Sequence, residues 1–272
     1  MAEKEMSFWD HLDELRGVLL KSAVVILVLM MGAFFLKEPV FDIIFAPLDS
    51  DFVLYRLFDK FLALLGWGKV PDFDVQVINI KMTAQFFTHV KISFYVALIV
   101  GMPFLFYELW TFVRPALYDK EKRAIKGSFG FAGILFYMGV LVGYYLVLPL
   151  TVRFLGTYQV SPDVPNSIDL SSYTGMFTSL IIIMGIVFEM PVLAALLSKI
   201  GVISKELLKE YRRYAVVILL TLAAIITPSG DPFTLMVVAI PLYLLYEVSI
   251  LVTKSKDEED EDEPEEGEMD GE

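Results

Sequence analysis

The run "GSFGFAGILFYMGVLVGYYLVLPL", Gly127 to Leu150, contains 24 residues and no charged side chain. An α-helix rises 1.5 Å per residue, so about 20 apolar residues cross the ~30 Å hydrocarbon core of a bilayer. This run therefore predicts a transmembrane helix. The whole chain agrees, because 56% of its 272 residues are hydrophobic and 14% are aromatic, far more than in a water-soluble domain.

Five further runs of the same kind lie on either side, and together they predict an all-α integral membrane protein with six transmembrane helices. Lys21 lies near one end of the first run and can reach the interface with its long side chain. Pro103, Pro191 and Pro241 predict kinks, so that the helices form a concave bundle. The fifth run has only 14 residues, or about 21 Å of helix, so the bilayer must thin around it. The predicted spans are residues 18–37, 85–107, 127–150, 172–198, 214–227 and 233–252.

The connections between these runs predict the orientation. Residues 108–126 and 199–213 each contain five Lys or Arg, whereas residues 149–174 contain only Arg153. Basic connections remain in the cytoplasm, so both termini are predicted to be cytoplasmic. Residues 38–81 then fall outside. Within them, the apolar residues of 49–70 recur at helical spacing, which fits either a helix on the outer interface or a soluble cap.

The formal charge of −12 comes from the C-terminal end of the chain. Residues 257–272 contain twelve carboxylates and no cation, and the other 22 acidic residues are balanced by 22 Lys and Arg. Such a segment is too poor in apolar residues to fold, so residues 253–272 are predicted to be a disordered acidic cytoplasmic tail. We predict no nucleic-acid partner for the neutral body, and the absence of cysteine excludes disulfides and thiolate chemistry.

Residues 1–17 are predicted to form a cytoplasmic amphipathic helix that leads into the first span. Phe8, Leu12, Leu15 and Leu19 recur at helical intervals, and charged residues lie between them. Two interpretations remain open for this helix. It is either an anchor on the inner membrane surface or an acidic surface near the basic connection 108–126.

Four short motifs carry a resemblance to a known family. "HLDELR" at 11–16, "FVRPALYDKEKR" at 112–123, "FEMP" at 188–191 and "TPSGDP" at 227–232 resemble, in this order, the signatures of the TatC family, the receptor subunit of the twin-arginine protein translocase. The resemblance covers nearly the whole chain. The long first outer loop, the acidic tail and Leu235, where the family often has glutamine, depart from the pattern.

The resemblance implies a function in protein export and no enzymatic activity. A TatC-like receptor reads signals with two consecutive arginines on folded cargo at the cytoplasmic face of the bacterial inner membrane, and the proton gradient drives export. The implied partners are the lipid bilayer, single-span subunits resembling TatA and TatB, and further copies of the chain in the receptor complex. No cofactor or metal is implied.

The resemblance also implies a set of signal-binding residues. Two guanidinium groups need carboxylates that accept bidentate, charge-assisted bonds, and Glu121 is the leading candidate, with Glu14 second. Pairing of Glu121 with a neighbouring Lys or Arg at the surface is the open alternative. The remaining candidates of this set are Phe112, Pro103, Arg16 and Arg123.

Glu189 and Asp231 are candidates for polar or partner contacts at membrane depth. A carboxylate near mid-bilayer is costly and normally faces a bundle interior, a watery cavity or a partner. The family resemblance places Glu189 on a concave side, and a protonated acid inside the bundle is the alternative. Asp231 is predicted to cap the last helix.

A transporter and an enzyme are the alternatives to a receptor. A proton-coupled small-solute transporter could use Glu189, but residues 18–126 and 127–252 show no internal repeat. Catalytic signatures are absent from the sequence, and the only histidines, His11 and His89, lie near no plausible metal ligands.

Overall fold

A computed structural model describes residues 8–66, 73, 75–114, 119–161, 163–164, 166–199, 201–227 and 230–255, with the backbone alone at positions 8, 10, 119–126 and 128. The described chain is helical apart from two short strands and the connections. The helices are α1 (Phe8–Phe35), α2 (Lys37–Phe45), α3 (Val53–Leu64), α4 (Ala84–Val113), α5 (Asp119–Val142), α6 (Leu148–Thr157), α7 (Leu170–Val187), α8 (Met190–Lys199), α9 (Lys205–Glu210), α10 (Arg212–Ile226) and α11 (Pro232–Val252). A 3₁₀ turn covers Ala46–Leu48, a π-helical turn covers Gly143–Val147, and the strands are β1 (Gln76–Ile78) and β2 (Ser167–Asp169).

Within the described residues, five helical stretches are long and apolar enough to cross a membrane. The fifth predicted span, α10, has 15 residues, or about 22 Å of helix, and is shorter than the others. The five stretches are His11–Phe35, Ala84–Val113, Phe129–Thr157, Leu170–Lys199 and Pro232–Val252.

The N-terminal segment and the first span form one uninterrupted helix, α1. The predicted boundary at residue 17 is wrong, because no break occurs there. Gly17 is the only helix-weakening residue near that point, and one glycine costs only about 1 kcal/mol in a helix. Packing of α1 against α4 along its length outweighs that cost.

The fourth predicted span is broken into α7 and α8 at Phe188 and Glu189. The break follows from Pro191, which has no N–H to donate to the preceding turn. The amide of Glu189 instead donates to the carbonyl oxygen of Ile186 at 3.0 Å, a tighter turn than that of an α-helix. In contrast, α4 runs through Pro103 and α11 through Pro241 without a break.

The segments that join α1 to α4 and α6 to α7 form a cap with a small sheet, which is not predicted from the sequence. Strand β1 pairs in parallel with β2, with Gln76 opposite Ser167. The last residue of β2, Asp169, caps α7 by accepting hydrogen bonds from the amides of Ser171 and Ser172. The sheet therefore determines where α7 begins.

Helix α3 of this cap packs on α6 and also exposes apolar residues. The hydroxyl of Tyr55 donates to the carbonyl oxygen of Pro149 at 2.8 Å, and the guanidinium of Arg153 lies 5.4 Å from the Tyr55 ring centroid. Burial raises the pKa of Tyr55, and the charge of Arg153 opposes that shift. Leu57 and Leu64 on the same helix are exposed. One side of α3 therefore packs on α6, and another side is apolar and exposed.

The close contact between α5 and α7 depends on two glycines that have no Cβ atom. A Cβ atom at Gly139 would lie 2.5 Å from the carbonyl oxygen of Met184 and 2.8 Å from Cβ of Phe188, and one at Gly143 would lie 3.2 Å from Cβ of Met184. The small-residue spacing of these two glycines is therefore used for close packing inside the molecule.

Candidate functional site

Helices α1 and α4 are antiparallel neighbours, and two ring contacts define their register. The ring centroids of His11 and Phe112 lie 4.3 Å apart and are stacked. At the opposite ends of the two helices, the rings of Phe34 and His89 stack at 4.1 Å. The N-terminal end of α1 therefore lies against the C-terminal end of α4, where the basic connection begins.

This register brings two of the predicted signal-binding residues together. Glu14 follows His11 by three residues and lies on the same face of α1, so the register sets it about one helical turn from the His11–Phe112 stack, level with residue 109 of α4. Both Glu14 and Phe112 are half-buried. Arg16 is exposed and two residues further along, which turns it away from this face. Pro103 is exposed and lies about 13 Å from Phe112 along α4, so it is not part of the same cluster.

Glu121 and Arg123 lie in the first turns of α5, which begins at Asp119. Their side chains are outside the described part of the structure. The basic segment is thus helical from Asp119 onward, although the sequence analysis began the third span only at residue 127.

A carboxylate that the sequence analysis missed lies in the same seam. Glu108 on α4 is only 5% exposed, and its Oε2 atom lies 3.7 Å from Nζ of Lys21 on α1. This Oε2 atom is buried and has no hydrogen-bond partner among the described residues. From the sequence, Glu108 is predicted to begin the basic connection 108–126, because its burial depends on α1, which is distant in sequence. Its position four residues before Phe112, and hence on the same helix face, was the available signal.

Glu189 lies at the break between α7 and α8 and is half-buried. Its Oε1 atom is buried and has no hydrogen-bond partner in the described part of the chain. The break thus holds one carboxyl oxygen that is buried between two helices without a described hydrogen-bond partner.

The start of α11 contains the other polar candidate. The Asp231 carboxylate accepts a hydrogen bond from the amide of Thr234 at 2.7 Å, which confirms the predicted cap. Leu235 is half-buried and packs against the core, so an apolar contact occupies the position where the family often has glutamine.

A family profile described as "Sec-independent protein translocase protein (TatC)" matches residues 10–241. The chain belongs to the TatC family. TatC of Blattabacterium sp. subsp. Periplaneta americana (strain BPLAN) is 36% identical over 256 residues, which cover 92% of this chain and 96% of that relative. TatC of Deinococcus radiodurans is 32% identical over 246 residues, which cover 90% and 85% of the two chains. A crystal structure of the twin arginine translocase receptor TatC in DDM matches with a TM-score of 0.72 and 33% identity, and covers 90% of this chain and 99% of that one.

Membership in the TatC family confirms the resemblance inferred from the four motifs, and it confirms the all-α membrane fold. The chain is a TatC component of the Sec-independent protein translocase and not a catalytic enzyme. Among the described residues, no group of three or more His, Cys, Asp or Glu side chains could hold a metal ion. The number of spans and the side on which the termini lie stay predictions.

Proposed function

We propose that this TatC protein is the core receptor and scaffold of a twin-arginine translocase in the inner membrane of a bacterium. It binds the twin-arginine signals of folded proteins at the cytoplasmic face, where both termini lie, and the proton gradient drives export. The observation that supports this proposal best is the α1–α4 register. By this register Glu14 and Phe112 lie within about one helical turn of each other along the α1–α4 seam, at the end of α4 that continues into the segment with Glu121.

The chemistry of this face suits arginine better than lysine. A guanidinium group presents a planar fork of donors that matches a carboxylate in a bidentate geometry, whereas an ammonium group is a point charge. An exposed ion pair contributes only about 0–1 kcal/mol. Glu14 is half-buried beside the His11–Phe112 ring pair, so a bond made there is less screened by water.

Recruitment of single-span, TatA- and TatB-like subunits is the second part of the proposal. Helix α10 exposes Val217, Ile218 and Ile225, an apolar face that a partner helix can cover within the bilayer. Glu189 offers that partner, or a further copy of the chain, an unsatisfied carboxyl oxygen. Asp231, in contrast, is already engaged as a helix cap.

The test is the binding of twin-arginine and twin-lysine signal peptides to the full chain in nanodiscs. Glu121→Gln and Glu14→Gln are compared with the wild type, and Asp13→Asn removes an exposed acid from the same helix as a matched control. We expect the wild type and Asp13→Asn to prefer arginine, and at least one glutamine variant to lose that preference. Equal, weak binding of both peptides to all proteins would contradict the receptor and favour the small-solute transporter that uses Glu189.

A further inference from the structure

Glu108 is poorly compensated for a buried carboxylate. Its side chain is 7% exposed, and the 3.7 Å separation between its Oε2 atom and Nζ of Lys21 exceeds the 2.7–2.9 Å or so of a charge-assisted hydrogen bond. The Oε2 atom has no hydrogen-bond partner among the described residues. A carboxylate that is removed from water needs close and well-directed donors, because its desolvation costs several kcal/mol. Lys21 provides only a long ionic contact.

The position of Glu108 links it to the proposed signal-binding face. It precedes Phe112 by one helical turn, about 6 Å along α4, and shares its face. Lys21 reaches Glu108 from α1, the helix that also contributes His11 and Glu14. Along the seam between α1 and α4, Glu108 therefore lies one turn deeper in the membrane than Phe112 and level with Glu14.

We propose that Glu108 is a further acceptor for an arginine side chain of the signal, and that Lys21 occupies this acceptor in the unbound protein and leaves it on binding. This inference rests on the proposed receptor function. A guanidinium fork can bond both carboxylate oxygens, which Lys21 does not do here. The Lys21 side chain is 63% exposed, so its ammonium group can move into water while the two helices stay packed.

The alternative role of this ion pair is purely structural. The two roles predict opposite changes in signal affinity when Lys21 is removed. If the pair only holds α1 against α4, removal of either partner weakens signal binding and lowers stability. If Lys21 competes with the signal for Glu108, removal of Lys21 strengthens binding, whereas removal of the Glu108 charge weakens it.

The experiment measures twin-arginine and twin-lysine peptide affinities for the full chain in nanodiscs of phosphatidylethanolamine and phosphatidylglycerol. The variants are Glu108→Gln and Lys21→Met. The matched controls are Glu247→Gln and Arg212→Met, which disrupt the 2.7 Å ion pair between α10 and α11. Thermal unfolding of each variant reports on folding.

We expect Glu108→Gln to weaken twin-arginine binding by roughly tenfold to a hundredfold, the size of a hydrogen bond to a charged group. Twin-lysine binding changes less, and Lys21→Met tightens twin-arginine binding several-fold. Both control variants bind as the wild type does. Weakening by Lys21→Met, or an unchanged arginine preference in Glu108→Gln, would overturn the proposal.

Two further outcomes separate this inference from the receptor function on which it rests. If the wild type does not prefer arginine, both proposals fail. If the wild type prefers arginine and Glu14→Gln or Glu121→Gln removes that preference while Glu108→Gln does not, only the role of Glu108 fails. Should Glu108→Gln not fold, Lys21→Met decides the question alone, because it retains the carboxylate.

Discussion

The contact between α5 and α7 and the seam between α1 and α4 join helices in opposite ways. In the first, glycines bring backbone against backbone, and Gly139 leaves no room for a Cβ atom beside the carbonyl oxygen of Met184. In the second, side chains meet: the seam contains the His11–Phe112 and Phe34–His89 ring pairs and the Lys21–Glu108 ion pair. The first contact cannot adjust without movement of the backbone, whereas the second can adjust by rotation of side chains. The proposed signal-binding residues lie on the adjustable contact.

The largest expected effect is on stability, and it is tested with the same glycine-to-alanine substitution at each of the two contacts. At Gly139 an added Cβ meets backbone at 2.5 Å, whereas at Gly101 it meets the flexible end of Ile26, Cδ1, at 2.8 Å. We expect Gly139→Ala to lower the free energy of unfolding by about 3 kcal/mol. Gly101→Ala should change it by less than about 1 kcal/mol, because helix propensity offsets the crowding. Denaturant unfolding of both variants measures the difference, and equal losses would refute the comparison.

Removal of the Phe112 ring tests the adjustable contact directly. Phe112→Ala loses the stack on His11 and part of a half-buried ring, which we expect to cost about 1.5 kcal/mol of unfolding free energy and to weaken signal binding. Phe131→Ala, which removes an exposed ring from α5, is the control for both measurements. Unchanged signal binding in Phe112→Ala would show that this ring is not part of the signal-binding site.

A smaller effect is expected where the cap packs on α6. Tyr55→Phe removes the hydrogen bond to the carbonyl oxygen of Pro149 and should cost about 1 kcal/mol, whereas the exposed Tyr158 should tolerate the same change. Because burial raises the pKa of Tyr55, its contribution is complete below the ordinary tyrosine pKa of about 10 and is lost as the pH rises further. Unfolding between pH 8 and pH 11 should show an alkaline loss that is smaller in Tyr55→Phe.

The smallest expected effect on stability is at the helix break. Glu189→Gln keeps the shape of a side chain whose Oε1 atom has no described partner, so the unfolding free energy should change by less than about 0.5 kcal/mol. We expect recruitment of single-span subunits to fall nevertheless, which co-purification measures. A large loss of stability would mean that Glu189 serves the fold and not a partner.

The features that the sequence predicted are local ones. The break beside Glu189 was expected from Pro191, and the cap of α11 from the order of Asp231 and the following residues, because each depends on neighbours within one helical turn. The pairing of β1 with β2 was missed, since three-residue strands about 90 residues apart leave no periodic pattern. Glu108 was missed for a related reason: its burial is caused by α1, which no pattern around residue 108 reveals.

The hydrogen bonds by which Asp169 fixes the start of α7 also have a consequence in bilayers of different thickness. Helix α7 begins at the sheet, and its 18 residues span about 27 Å to the break at Glu189. The sheet therefore fixes the distance of Glu189 from the membrane surface at which the cap lies. In a thicker bilayer α7 cannot slide to compensate, so the carboxyl group would lie further from the opposite membrane surface, and lipid chain length alone would change what Glu189 can contact.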